Sequence, residues 1–70
     1  MVGHVKLWNE RKGYGFIVSG ETEYYVKFRD LSDDFLCWNG RKNMDVGETV
    51  SFTPRRGMKG PYAVRVETKA

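Results

Sequence analysis

Two aromatic side chains separated by a single glycine are the residues of this sequence best suited to bind a ligand. Tyr14 and Phe16 alternate with Gly13 and Gly15, directly after Lys12. Because residues two apart on a β-strand point to the same face, the two rings should lie side by side, and the glycines should leave room for a flat ring to reach them. Nucleic-acid bases stack on such rings at roughly 1–3 kcal/mol per base, and a neighbouring lysine can neutralise a phosphate. The pattern therefore predicts a surface for single-stranded nucleic acid.

The composition agrees with an exposed aromatic surface. The 70 residues include four Phe, four Tyr and two Trp, and lysine and arginine outnumber the acidic residues by 12 to 9. A chain this short buries only about 60% of its surface on folding, so several rings should remain exposed. The alternative is that rings fill the core of a small all-β fold, but alternation leaves other side chains for that role. They are Ile17, Val26, Val50, Phe52 and Val64.

Several other classes of protein are disfavoured. Cys37 is the only cysteine, so an internal disulfide is excluded, and with His4 it supplies too few ligands for a zinc site. The sequence contains no recognisable pairing of nucleophile and base and no phosphate-cradling loop, so we predict no catalytic residue, no metal and no cofactor. It also lacks an apolar run long enough for a membrane span or a secretory signal. We expect a cytoplasmic protein without a membrane partner.

Glycine and proline divide the chain into short segments that must position these residues. Five segments read as strands, at residues 2–8, 14–19, 24–28, 49–53 and 62–66. Between the third and fourth, Ser32 is a good N-cap, which predicts one or two helical turns over residues 33–38. Five short strands with one small helical insert are typical of a closed or nearly closed small barrel. We therefore expect one all-β domain spanning residues 1–70.

The motif and its flanks together resemble the cold-shock domain, in the same order along the whole chain. The segments that carry the resemblance are Gly3-His4-Val5-Lys6-Leu7-Trp8-Asn9, Lys12-Gly13-Tyr14-Gly15-Phe16-Ile17-Val18, Tyr24-Tyr25-Val26-Lys27-Phe28, Asp45-Val46-Gly47-Glu48-Thr49-Val50-Ser51-Phe52 and Lys59-Gly60-Pro61. The resemblance implies a five-stranded antiparallel oligonucleotide-binding (OB) barrel that binds single-stranded RNA or DNA, usually pyrimidine-rich. It also implies a role as an RNA chaperone or as a regulator of transcription or translation.

The motif, the resemblance and the long loop provide eleven candidate binding residues. They are Lys6, Trp8, Lys12, Tyr14, Phe16, Tyr25, Lys27, Phe28, Trp38, Arg41 and Lys59. Alternation independently predicts three pairs on shared faces, which are Tyr14 with Phe16, Tyr25 with Lys27, and Lys6 with Trp8. A set of loop cations should rim the bound strand, namely Arg41, Lys42, Arg55, Arg56 and Lys59.

The chain departs from the family pattern where stacking groups are expected. The family's first strand usually reads Lys-Trp-Phe-Asn, and Leu7 stands here in the place of the Trp. Either that stacking position is lost or Trp8 reaches across to serve it. Lys27 replaces a His, and Arg41 replaces a Phe that is common in the loop. Binding should consequently depend more on phosphate neutralisation and less on stacking.

Two other functions are compatible with parts of the same pattern. The RNA-recognition motif shares the glycine-aromatic pattern, but it needs two full helices for which this chain has no room. The alternative is a protein-interaction module that binds a protein partner through the aromatic face and the segment Phe35-Leu36-Cys37-Trp38. Trp38 itself either extends the stacking surface, covers the end of the barrel or marks a protein contact. We expect a monomer, with a dimer as the alternative.

Overall fold

Five strands form a closed barrel in the computed structural model, which describes residues 1–69. They are β1 (Val2–Asn9), β2 (Tyr14–Ser19), β3 (Thr22–Lys27), β4 (Thr49–Gly57) and β5 (Gly60–Thr68). Their order around the barrel is β1-β2-β3-β5-β4. Neighbours pair antiparallel except where β3 meets β5, a parallel contact that places Tyr25 beside Tyr62. The predicted all-β barrel of five strands is confirmed, and β4 and β5 extend beyond the predicted bounds.

The barrel interior is filled by ten apolar side chains. They are Val5, Ile17, Val26, Leu31, Phe35, Met44, Val50, Phe52, Ala63 and Val66. Four of the five residues predicted for the interior are among them, but Val64 is only half-buried. The reason is an irregular register between β4 and β5, in which two residues of β5 lie opposite Phe52. As a result Ala63 and Val66, three positions apart, face the core in β5.

The long loop between β3 and β4 contains two single turns of 3-10 helix, Phe28–Asp30 and Asp33–Phe35. The hydroxyl of Ser32 accepts a hydrogen bond from the Asp34 amide at 3.2 Å, so the predicted N-cap is confirmed. The helical segment is shorter than the predicted 33–38, because Leu36 leaves the turn to form a β-bridge with Lys42. Within residues 1–69 no helix is long and apolar enough to cross a membrane.

Candidate nucleic-acid interface

Three rings lie next to one another on the outer surface of β2 and β3, and we call Tyr14, Phe16 and Tyr25 the aromatic platform. Phe16 pairs directly with Tyr25 across the two strands, and Tyr14 pairs with Lys27. The Tyr25 ring centroid is 6.0 Å from that of Tyr14 and 5.7 Å from that of Phe16. All three rings are half-buried, so each keeps a surface open to solvent. The structure therefore places together the two pairs that alternation predicted on these strands.

Gly15 lies on the inner side of the barrel and not on the side of the platform. It is buried, and a side-chain carbon at this position would overlap the Leu7 carbonyl and come within 2.8 Å of the Trp8 ring. The expectation that this glycine clears space for bases is therefore wrong. Glycine is required because the backbone of β1 and the indole ring of Trp8 approach β2 closely on that side.

A bulge in β1 decides which side chain of that strand reaches the platform. Val5 pairs with Ile17 and Leu7 pairs with Phe16, so Lys6 is an extra residue without a partner on β2. A β-bulge of this kind shifts the alternation of side chains by one position. Leu7 accordingly lies on the outer face beside Phe16 and is 44% exposed. The first-strand neighbour of the platform is therefore an aliphatic side chain.

Trp8 lies on the opposite side of β1, facing the barrel. It pairs with Gly15, packs against the buried core, and donates its indole N–H to the carbonyl of Lys42 at 3.0 Å. The prediction that Trp8 shares a face with Lys6 is wrong, because strict alternation does not continue through the bulge. Lys6 itself is exposed, and its ammonium group forms an ion pair with Glu23 at 2.9 Å.

Phe28 and Lys27 extend the platform at the end of β3. The Phe28 ring is exposed and its amide donates to the Gly13 carbonyl at 2.8 Å, which holds it near the start of β2. The Lys27 ammonium lies 5.9 Å from the centre of the Tyr25 ring. A cation at this position can interact with the face of an aromatic ring and with a phosphate at the same time.

A cleft of about 680 Å³ opens beside the platform, between β3, the following 3-10 turn and the β4–β5 hairpin. Its lining includes Phe16, Tyr25, Tyr62, Lys27, Arg29 and Lys59. Lys59 is thus brought to the platform as predicted. Tyr62 and Arg29 were not predicted from the sequence. Tyr62 reaches this place through the parallel contact of β3 with β5, and Arg29 lies in the 3-10 turn that follows β3. The sequence could not show which strand would lie beside Tyr62.

Other predicted residues lie away from this cleft. Lys12 is exposed in the turn between β1 and β2, whereas Trp38 and Arg41 are exposed in the long loop. The Trp38 side chain is 98% exposed, and the amides of residues 37 and 40 bond within the same turn. None of the three lines the cleft beside the platform.

The ammonium group of Lys42 makes its contacts within the protein and does not lie at the rim of the predicted binding surface. Its ammonium group donates to the Leu31 carbonyl at 2.7 Å, lies 3.7 Å from the Asp33 carboxylate and sits 5.1 Å from the centre of the Phe28 ring. Only 13% of its side chain is exposed. The expectation that Lys42 rims a bound strand is therefore wrong, since its charge is already satisfied within the protein.

The remaining cations near the platform are free to meet a phosphate. Over residues 1–69 the ion pairs are those of Lys6 with Glu23 and of Lys42 with Asp33. Lys27, Arg29 and Lys59 therefore have no carboxylate partner in this part of the chain. Half-buried rings beside unpaired cations can stack bases and neutralise phosphates at the same time.

Comparisons with known proteins agree with this geometry. A family model described as the 'Cold-shock' DNA-binding domain matches residues 1–69. The cold shock-like protein CspA of Vibrio cholerae is 40% identical over 68 residues, which cover 94% of this chain and 90% of that protein. The major cold shock protein CspA of Bacillus cereus is 39% identical over 67 residues, covering 94% and 92%. The cold shock protein CspA of Staphylococcus aureus is 38% identical over 65 residues, covering 91% of each chain.

Proposed function

This chain belongs to the cold-shock domain family, whose members bind nucleic acid, and from that premise we propose that it binds single-stranded RNA or DNA on the aromatic platform. The observation that carries the proposal is the outward position of Tyr14, Phe16 and Tyr25, with the Tyr25 ring centroid 6.0 Å from that of Tyr14 and 5.7 Å from that of Phe16. Each ring is hydrophobic, and the core is already filled by other side chains. Ring faces left open on a strand surface are suited to stack on bases of any sequence.

Cations around the platform would hold the phosphate backbone. Lys27 and Lys59 lie at the same cleft as Phe16 and Tyr25, so bases and phosphates of one strand can be contacted together. If roughly three or four phosphates are neutralised, the logarithm of affinity falls with the logarithm of salt concentration at a slope of about −2 to −3. Leu7 in place of an aromatic ring weakens stacking, so we expect salt to affect binding strongly. Pyrimidine-rich strands are the preferred ligands in this proposal.

The cellular role that fits such binding is that of an RNA chaperone or a regulator of transcription or translation. A protein that binds only unpaired strands stabilises them against pairing by mass action, with a free energy that grows as the logarithm of its concentration over its dissociation constant. We place this activity in the cytoplasm, where the lone thiol of Cys37 stays reduced. In this proposal residues 1–70 act as a single cold-shock domain, as a monomer, without a cofactor and without catalysis.

The test is a titration of labelled oligonucleotides followed by fluorescence anisotropy. Oligo-dT, oligo-U, oligo-dA and a duplex are compared at two salt concentrations. We expect the single strands to bind more tightly than the duplex, the pyrimidine strands to bind best, and affinity to fall with salt. Equal affinity for duplex and single strand, or a slope near zero, would contradict the proposal. Anisotropy is preferred to tryptophan quenching because Trp8 is packed against the core.

One observation keeps a protein partner as a second candidate function. Trp38 is 98% exposed and Leu36 is 54% exposed, while their neighbour Phe35 is buried in the core. Two apolar side chains held on the surface by a buried anchor are typical of a protein contact. A partner captured after nuclease treatment, retained by Phe16→Ala and lost by Trp38→Ala, would favour this function. Loss of the partner on nuclease treatment would favour nucleic-acid binding alone.

A further inference from the structure

A second cleft lies on the outer surface of β4 and β5, on the other side of the Phe28–Asp30 turn. It has a volume of about 820 Å³. The residues that matter for its chemistry are Arg29, Arg65, Asp30, Glu67, Ser51 and Thr53. Residues with two guanidinium groups, two carboxylates and, with Ser32, three hydroxyls therefore line one open cleft that the aromatic platform does not use.

Arg65 occupies a strained backbone conformation at this cleft. Its φ is 53°, and among residues 1–69 it is the one residue other than glycine with positive φ. In the left-handed region the side chain of a non-glycine residue comes too close to its own backbone, so the conformation is strained. The strain arises at the bulge where Ser51 pairs with Glu67 and Thr53 pairs with Val64, which leaves Arg65 and Val66 opposite a single residue of β4.

The bulge directs the arginine outward. Val66 is fully buried, so it takes the inward position, and Arg65 is the residue that absorbs the irregularity and stays exposed. Bulges commonly redirect a side chain next to a binding site, and strained non-glycine residues concentrate at such sites. A glycine would fit this backbone with less strain, yet the sequence has an arginine here.

The two arginines of the cleft are free to bind phosphate groups. Neither Arg29 nor Arg65 has a carboxylate within 4.0 Å among the residues the structure describes. Each guanidinium can therefore form the two parallel hydrogen bonds that a phosphate accepts. Asp30 and Glu67 balance the formal charge of the cleft, and carboxylates can accept hydrogen bonds from base amino groups or sugar hydroxyls.

The second cleft is continuous with the aromatic platform. Arg29 and Asp30 line both clefts. Directly after them, Leu31 pairs in parallel with Val66, and the Ser32 amide donates to the Val66 carbonyl at 2.8 Å. The Phe28–Asp30 turn is thereby held alongside β5, between the two clefts. A strand that leaves the platform past Tyr62 meets Arg29 first and then Arg65.

We propose that the second cleft binds the phosphodiester backbone of the same single strand beyond the platform, with Arg29 and Arg65 as its phosphate ligands. This inference rests on the proposed function, because the strand must first bind the platform. Its consequence is a longer binding site, within the roughly 4–16 nucleotides that one OB barrel can cover. Nucleotides beyond those on the platform then add affinity that depends on two arginines.

The experiment compares oligo-dT of about 6 and 12 nucleotides, lengths within the range covered by one barrel. Dissociation constants are measured by anisotropy for the wild type, Arg65→Gln, Arg29→Gln and Lys69→Gln. Lys69 is an exposed cation that lines neither cleft, so Lys69→Gln is the control for loss of one charge. For each protein we take the ratio of its dissociation constants for the two strands. The longer strand offers every protein the same number of binding registers, so this statistical factor cancels when the ratios are compared.

We expect Arg65→Gln to reduce the gain from the longer strand by about 3- to 10-fold, the equivalent of one net hydrogen-bonding contribution. Arg29 lines both clefts, so Arg29→Gln should weaken the shorter strand as well as reduce this gain. The salt slope for the longer strand should also move towards zero by about 0.7 per lost phosphate contact. Lys69→Gln should leave the ratio unchanged. Residue 65 has a strained backbone in Arg65→Gln, whereas residue 29 has no such strain. The same change of salt slope in both variants would therefore be an effect of charge and not of folding.

Two results would overturn the inference, and they are distinguishable. If the short strand binds normally and all four proteins have the same ratio, the second cleft does not bind the strand, while the proposed function stands. If the wild type binds neither strand more tightly than duplex, the proposed function fails and the inference fails with it.

Discussion

The indole N–H of Trp8 donates to the main-chain carbonyl of Lys42 at 3.0 Å, joining β1 to the long loop between β3 and β4. The side chain of the same lysine bonds to the Leu31 carbonyl at 2.7 Å, at the other end of that loop. The barrel therefore holds Lys42 through its backbone carbonyl, and the start of the loop holds it through its ammonium group. This arrangement fixes the loop next to Phe28, at the edge of the aromatic platform.

Trp8→Phe should lower the stability of the protein without changing its affinity for single strands. The substitution keeps an aromatic ring against the core but removes the donor to the Lys42 carbonyl, at a cost of about 1 kcal/mol. Urea denaturation measures the stability, and anisotropy with oligo-dT measures the affinity. A variant of normal stability with weaker binding would show instead that the ring contacts the ligand.

Leu7→Trp should strengthen binding, because it adds a stacking ring beside Phe16. Leu7 is already exposed, so the larger side chain need not disturb the core. One further base on an aromatic face should tighten binding by about 5- to 100-fold. Val46→Trp is the control, since Val46 is exposed and lines neither cleft. Equal gains from both variants would mean that an added tryptophan increases binding without regard to position.

Much of the fold could be predicted from local patterns. Each of the five predicted strands overlaps one strand of the barrel, because alternation of apolar and polar side chains reflects a barrel with one face inside. The Tyr14, Phe16 and Tyr25 platform follows from the same alternation within β2 and β3, which run without a bulge. Regular strands therefore allowed the central part of the site to be predicted.

The errors at Trp8 and Val64 share a physical origin in the two irregular strand pairs. One bulge at Lys6 turned Trp8 inward and Leu7 outward, and another at Arg65 left Val64 only half-buried. A bulge adds one residue without a distinctive residue type, so alternation alone does not reveal it. The burial of Lys42 was missed for another reason, since its acceptor at Leu31 is defined only by the folded loop.

Phe16→Ala should weaken binding with little effect on folding. The ring is half-buried on the outer face and contacts Tyr25, so its loss removes one stacking surface, worth roughly 1–3 kcal/mol of binding. Val18→Ala is the matched control, because Val18 lies two residues along β2 on the same face, opposite Glu23 rather than Tyr25. Anisotropy measures binding, and thermal denaturation measures folding. Unfolding of Phe16→Ala would place the ring in the core and contradict the platform.

Lys59→Met and Lys42→Met form a matched pair in which the same charge is removed from two different environments. Lys59 is exposed and lines the platform cleft, so its loss should move the salt slope towards zero by about 0.7 and leave stability unchanged. Lys42 bonds to the carbonyl of buried Leu31, so its loss should leave that acceptor unsatisfied and lower stability by about 1–3 kcal/mol.

The salt slope of Lys42→Met should equal that of the wild type, because the Lys42 ammonium already has partners in Leu31 and Asp33. Affinities at four or more salt concentrations provide the slopes, and urea denaturation provides the stabilities. A slope that changes in Lys42→Met but not in Lys59→Met would reverse the assignment. The phosphate backbone would then run along the long loop, towards Arg41 and Trp38, and not across the cleft beside Tyr62.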